Sequence, residues 1–184
     1  MFKVLKLKKI IFWLILIIIL INAKNITRIF YPINYKEIIY EYSKEYSLDP
    51  YLIYAVIKAE SNFDTYAQSN KEAFGLMQIT KDTAKWISGK LNSPELSENL
   101  FIPEANIRMG CYYMDYLIKM YDGNIKNALC AYNAGFNTVN RWLNDKDYSS
   151  DGKNLTSIPY RETELYVTKV TNNRRIYNIL YNAE

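Results

Sequence analysis

Glu60 stands where a carboxylate is uncomfortable. It closes the stretch LDPYLIYAVIKAESNF, residues 48–63, in which Asp49 reads as a helix N-cap and Pro50 as the first helical residue. Leu52, Val56 and Glu60 then fall at i, i+4 and i+8 on one stripe, and Phe63 continues it. Ile53 and Ile57 form a second apolar stripe beside the first. A helix apolar around most of its circumference is a buried helix. A carboxyl in register with that core has its charged form disfavoured, and its pKa rises. A glutamate held neutral near pH 7 can act as a general acid. On these residues alone a second reading stays open, in which Glu60 turns to solvent or pairs with Lys58 or Lys71.

Composition removes several other chemistries. The chain of 184 residues has no histidine, which excludes Ser-His-Asp and Cys-His catalysis and His-ligated metals. The formal charge is +4, but Lys3, Lys6, Lys8 and Lys9 supply four positive charges, and the charges from residue 10 onward cancel. No basic footprint for nucleic acid remains. Cys111 and Cys130 each fall among apolar neighbours of an expected helix, as small buried hydrophobes, with a disulfide between them as the alternative. Neither has the partners of a nucleophile or a metal ligand.

After the lysines, Ile10–Ile21 is an unbroken apolar run, IIFWLILIIILI. A basic flank and an apolar core of this length make a secretory signal or, with Val4, Leu5 and Leu7 counted in, an uncleaved anchor with its lysines inside. The sequence Ile21-Asn22-Ala23-Lys24 matches a small-x-small cleavage site poorly, which favours the anchor over a cleaved signal; a buried core helix is the third option. Either main reading puts the rest of the chain outside the cytoplasmic membrane. Residues 1–23 are thus the anchor or signal segment, 24–34 a linker, and 35–184 a single globular domain.

The elements that must position Glu60 are helical. Tyr35, Ile38, Ile39, Tyr42 and Tyr46 keep helical spacing and predict a helix near 34–47. The Glu60 helix spans 50–61, and residues 62–79 are polar and broken. Thr80 caps a helix ending near Ser88, with Gly89 as its stop. A loop over 90–103 precedes a long helix at 104–121, marked by Ile107, Cys111, Met114, Leu117, Ile118 and Tyr121. Asp122-Gly123-Asn124 is a turn. Helices at 124–133 and 136–143 flank Gly135, with Trp142 toward the core. The charged stretch 144–157 reads as a flexible loop. Tyr166, Val170, Tyr177 and Leu180 carry a last helix over 160–182. No alternating run is long enough for a strand, and the domain is all-α.

Five short motifs surround this frame: ESNF at 60–63, GLMQIT at 75–80, NIRMGCYYMDYL at 106–117, AYNAG at 131–135 and IPYRETELYV at 158–167. In this order and spacing the chain resembles the SLT-type lytic transglycosylases, peptidoglycan-cleaving enzymes with a lysozyme-like fold related to goose-type lysozyme. The resemblance runs from about Tyr35 to Tyr181. It implies that Glu60 is the single catalytic acid/base, with no metal and no cofactor. It also implies that Ser61 holds the Glu60 carboxyl or touches substrate; a helix C-cap hydroxyl is the bland alternative. Gly75 would permit close approach of backbone to sugar, and Met77 and Gln78 would line the cleft, core packing being the alternative for Met77. Tyr132 and Asn133 would face the same cleft, Asn133 as a partner for an N-acetyl sugar or for Glu60. Tyr166 matches the family tyrosine whose hydroxyl lies near the catalytic glutamate. Glu162 and Thr163 fit the family pattern. Glu164 and Phe136 depart from it, in places where a basic or neutral residue and a proline are expected.

The implied substrate is the β-1,4 bond between N-acetylmuramic acid and N-acetylglucosamine in peptidoglycan strands, cut with formation of a 1,6-anhydro-muramoyl end. Two rivals remain: a muramidase cutting the same bond with water, and a catalytically silent wall-binding protein. Asp64, Glu72 and Asp82 are the acids nearest the motifs, and none is placed by its context as a second carboxylate.

Overall fold

The computed structural model describes residues 2–182, with side chains described for Lys9 and from Ile11 onward. The side chains of Lys3, Val4, Leu5, Lys6, Leu7, Lys8 and Ile10 therefore lie outside the described residues. Among the described residues the chain forms eight α-helices, a short 3₁₀ helix and one two-stranded hairpin. The helices are α1 (Phe2–Phe30), α2 (Lys36–Glu45), α3 (Pro50–Glu60), α4 (Lys81–Leu91), α5 (Pro103–Met120), α6 (Ile125–Ala134), α7 (Phe136–Leu143) and α8 (Arg161–Tyr181). The all-α reading holds.

Helix α3 is the axis of the domain. The Asp49 side chain accepts from the Tyr51 amide at 2.9 Å, and Pro50 sits in the first turn. Every residue from Tyr51 to Ile57 is buried. Long α8 lies antiparallel along it: the Lys169 ammonium donates to Ala59 O, while Arg174 pairs with Asp49 at the other end. Helices α5 and α6 close the core with Ile107, Met114, Leu117, Ala128 and Leu129, and Trp142 of α7 is buried as expected. Cys111 and Cys130 are both free and fully buried, so the disulfide alternative is not realised. Burial pushes both thiols up, which leaves them inert.

Four boundaries differ from expectation. Gly89 does not stop α4; the helix runs on to Leu91 and ends at Asn92 in the left-handed conformation (φ 51°). Asn tolerates that conformation, and one exposed helical glycine costs only about 1 kcal/mol. The broken segment 62–79 contains a minimal hairpin, β1 (Ala73–Phe74) against β2 (Ile79–Thr80). Two-residue strands have no periodicity to read. The 144–157 loop is hydrogen-bonded: Asp151 accepts from the Lys153 and Asn154 amides, and Leu155 is buried. Finally, α1 is one helix through Phe30, where a linker from residue 24 was expected. Asn22 and Thr27 return their side chains to Ile18 O and Ala23 O, so these polar groups are satisfied within the helix. None of the Ile11–Phe30 segment is buried, which removes the core-helix reading of the apolar run.

Candidate active site

The hairpin loop Gly75–Gln78 is built by side chains from three helices. Asn106 of α5, fully buried, accepts from the Met77 amide at 2.7 Å and donates to Phe74 O and Leu100 O at 2.9 and 2.8 Å. The Ser61 hydroxyl, at the C-cap of α3, donates to Leu76 O at 2.8 Å. The Tyr132 hydroxyl of α6 donates to Met77 O at 2.9 Å. Gly75 and Gln78 both have positive φ, 73° and 49°. Side-chain bonds to the loop's own polar groups hold this turn against the conformational cost of Gln78.

Glu60 comes to rest at the floor of a cleft of about 300 Å³. Its walls include Asn70, Lys71, Gln78, Tyr132, Asn133 and Glu162. The cleft continues past Gln78, Tyr132 and Asn133 into a second hollow bounded by Thr83, Tyr113 and Gly135. A larger hollow of about 410 Å³ lies between Tyr121, Asn140 and Asn154; chemistry rather than size singles out the one at Glu60. Burial raises the Glu60 carboxyl from 4.5 to about 7, against the opposing pull of the Tyr166 hydroxyl and the Lys169 charge. Neither alternative partner takes it. Lys58 bonds Asn62 and lies over the Tyr31 ring, while Lys71 pairs with Glu162 at 3.0 Å.

The residues expected at the site divide into two groups. Gln78, Tyr132 and Asn133 line the cleft with Glu60. The buried Tyr166 hydroxyl lies within electrostatic reach of Glu60, without a hydrogen bond of ordinary geometry. Asn133 is already engaged, accepting from Thr163 at 2.8 Å, and Gln78 donates to Ala67 O and Gly75 O. Ser61, Gly75 and Met77 do structural work instead. Ser61 ties α3 to the loop, the C-cap alternative. Gly75 faces protein rather than an open cleft: a Cβ there would collide with Leu100 O and the Asn106 side chain. Met77 is fully buried, its thioether filling the space left by the missing side chain of Gly110. Sequence reasoning assigned no role to Asn106. Its signal was an amide at a core position of α5, and a buried amide needs partners. Lys71 and Asn70 of the cleft wall carried no signal beyond polarity. Of the second acids weighed, Asp64, Glu72 and Asp82 do not line the cleft, whereas Glu162 does.

Fold and site together define a helical domain that holds one neutral-leaning glutamate at the end of its central helix, open to an elongated polar groove. The chain belongs to the transglycosylase SLT domain family, whose model matches residues 37–155. It is 33% identical over 166 residues to membrane-bound lytic murein transglycosylase C of Edwardsiella ictaluri, covering 78% of this chain and 46% of that protein. A putative soluble lytic murein transglycosylase of Haemophilus influenzae is 36% identical over 136 residues, 71% of this chain and 22% of that protein. The chain thus spans less than half the length of these relatives. Among solved structures, lytic transglycosylase Slt of Pseudomonas aeruginosa, in an inactive mutant form, superposes with a TM-score of 0.75 at 31% identity, covering 85% of this chain and 26% of that one. The 70 kDa soluble lytic transglycosylase in complex with bulgecin A gives 0.72 at 26% identity, covering 81% of this chain and 25% of that one.

Proposed function

We propose that the protein is a peptidoglycan lytic transglycosylase, cleaving the β-1,4 bond between N-acetylmuramic acid and N-acetylglucosamine, with Glu60 as its one acid/base. The observation that carries this reading is Glu60 itself, raised to about 7 by burial at the floor of the cleft. A group with that affinity can give a proton and take one back within the same turnover. In the first step the protonated carboxyl donates to the glycosidic oxygen as the bond to the muramoyl C1 breaks. The N-acetyl group of the same sugar stabilises the cationic carbon, a substrate-assisted route known among glycosidases. In the second step the Glu60 carboxylate accepts the proton of the C6 hydroxyl while that oxygen bonds C1. No water is consumed, and the product ends in 1,6-anhydro-N-acetylmuramic acid. The Tyr166 hydroxyl and the Lys169 charge stabilise the carboxylate between the two steps. Gln78, Tyr132 and Asn133 hold the sugars along the groove.

The muramidase rival needs a second carboxylate or a positioned water. Glu162 is the other acid on the cleft wall, and it is neutralised in place by Lys71. Intramolecular capture by the C6 hydroxyl needs no such partner and starts from high effective concentration. Helix α1, long and apolar enough to cross a membrane over Ile11–Phe30, supports a membrane-anchored protein with its catalytic domain on the outer side. Digesting purified peptidoglycan in ¹⁸O-water and weighing the fragments tests the reaction. Unlabelled anhydro ends, lighter by one water than hydrolysed ends, are expected. Labelled, reducible muramic acid as the main product would make the enzyme a muramidase, and no fragments at all would favour the silent wall-binding protein.

A further inference from the structure

Helix α1 does not end in a loose tether. It stays helical through Phe30, and within five residues the chain is fastened to the far end of α8. The Arg28 guanidinium donates to Leu180 O at 2.9 Å and lies over the Tyr181 ring at 5.0 Å. The Tyr181 hydroxyl donates to Tyr31 O at 2.7 Å, and the Tyr177 hydroxyl to Pro32 O at 3.1 Å. The Tyr31 ring meets Tyr177 edge-on at 5.4 Å. Around this dense joint the surface is unexpectedly apolar: Ile29 is 74% exposed, Phe30 63% and Ile179 64%. Arg175, one turn before Ile179 on α8, is exposed as well.

Length decides what covers these residues. Lys24 is the first charge after the apolar run, and its ammonium reaches the outer edge of the hydrocarbon from a backbone lying about 6 Å inside it, the length of its apolar stem. From Lys24, Arg28 is about 6 Å further along the helix and Phe30 about 9 Å. Each headgroup layer is roughly 5–8 Å thick. The joint between Arg28 and Leu180 therefore falls within the headgroup layer, and Ile179, next to Leu180, falls there with it. Exposed aliphatic and aromatic side chains with an arginine beside them suit that depth.

We infer that the joint surface formed by Ile29, Phe30, Arg175 and Ile179 is seated in the outer phospholipid headgroups, fixing the catalytic domain flush on the membrane. This rests on the anchored reading of α1. The consequence for substrate follows from α8, which runs from the joint to the cleft. Fourteen positions separate Leu180 from Tyr166, about 21 Å at ~1.5 Å per residue. Glu60 thus works within about 20 Å of the joint, on glycan strands close to the membrane rather than strands deeper in the wall.

The test uses the full-length chain in vesicles of phosphatidylglycerol and phosphatidylethanolamine. A fluorophore is attached at Ile179→Cys or, as the control at the cleft end, at Asn70→Cys; the two native cysteines are buried. Lipids brominated near the headgroup should extinguish the label at 179 and leave the label at 70 bright. Inserting about 20 flexible Gly/Ser residues between Phe30 and Tyr31 should restore the light at 179 while digestion of soluble glycan fragments continues. Equal quenching at both positions, or quenching at 179 that survives the insertion, would overturn the fixed seating. A processed form beginning near residue 24 would overturn it too. Quenching is read without catalysis, so a failed seating and a failed enzyme assignment are told apart.

Discussion

Helices α3 and α8 lie side by side, and their two ends are treated in opposite ways. At the end where α8 meets α1 the half-buried acid has a cation as its partner. Asp49 caps α3 and pairs with Arg174 at 2.6 Å, and the Tyr177 hydroxyl, on a side chain buried in the core, finds Pro32 O. At the cleft end, among the described residues, Glu60 has no basic partner in contact, and the buried Tyr166 hydroxyl makes no hydrogen bond of ordinary geometry. Both ends are made from the same two helices with similar apolar flanks, so packing does not explain the contrast. A buried carboxyl without a counter-charge costs stability, and groups with pKa values perturbed in this way cluster at functional sites. A carboxylate paired with a cation holds one end together, and a carboxyl without one marks the candidate site at the other.

The largest expected effect breaks the working end outright. Glu60→Gln keeps the shape of the protonated acid and removes the proton, so release of soluble fragments from purified peptidoglycan should fall by about 10²–10⁴-fold. Retention of more than about one per cent of activity in a folded variant would remove Glu60 as the acid. The same residue gives a stability test with a definite sign. Its carboxyl rises from 4.5 in the unfolded chain to about 7 in the fold, so the native protein loses stability as pH rises between those values. Glu60→Gln does not titrate. The variant should match the wild type at pH 4 and exceed it at pH 8 by about 3 kcal/mol, roughly 6–12 °C in melting temperature. A constant difference across pH would contradict the buried-carboxyl account. Activity should fall as pH climbs through about 7, where Glu60 loses its proton.

Much of this contrast was legible in the residues, and the failures have a common cause. The Asp49-Pro50 start, the buried stripe of α3 and the turn at Asp122-Gly123 are local, and local chemistry predicts them. Glu60 itself was ambiguous from periodicity, since a carboxylate on a core stripe at a helix end can turn either way. Its surroundings come from far along the chain: Tyr132 and Asn133 share its cleft, and Lys71, the alternative partner, pairs with Glu162, 91 positions away. Gly75 and Met77 were placed at the cleft by the family resemblance, with core packing the alternative for Met77. What they touch is Asn106 and Gly110 on α5, contacts that no local pattern carries. The helical continuation of α1 to Phe30 was missed for the same reason: its support comes from α8, at the opposite end of the chain.

A pair of tyrosines sharpens the comparison at smaller scale. Tyr177→Phe removes a made hydrogen bond and strands Pro32 O, so it should cost about 1 kcal/mol in denaturant unfolding. Tyr166→Phe removes a buried hydroxyl that makes no hydrogen bond of ordinary geometry and should cost less stability than Tyr177→Phe. Its effect belongs to chemistry: without the hydroxyl, the Glu60 carboxylate loses a stabilising neighbour, and the falling limb of the pH–activity profile should move to higher pH. Equal destabilisation by both substitutions would show the two ends to be alike.

The smallest effect is expected where the two enzyme readings diverge most. Lys71 and Glu162 meet across the cleft rim with side chains 73% and 70% exposed. Such a pair contributes at most about 1 kcal/mol. If it only trims the rim, Glu162→Gln should change activity by less than about fivefold and leave the anhydro product unaltered. A muramidase would use Glu162 differently, as the base that activates water or the group that traps the sugar cation. Loss of that group would cost about 10²-fold or more. Lys71→Ala separates the two further, since freeing Glu162 from its counter-charge should speed a hydrolase that needs the carboxylate mobile. It should not help a transglycosylase whose acid and base are both Glu60. Kinetics of the two variants on purified peptidoglycan, with the anhydro fraction measured alongside, decide between them: a large loss at Glu162 together with a gain at Lys71 would move the chemistry from one carboxylate to two.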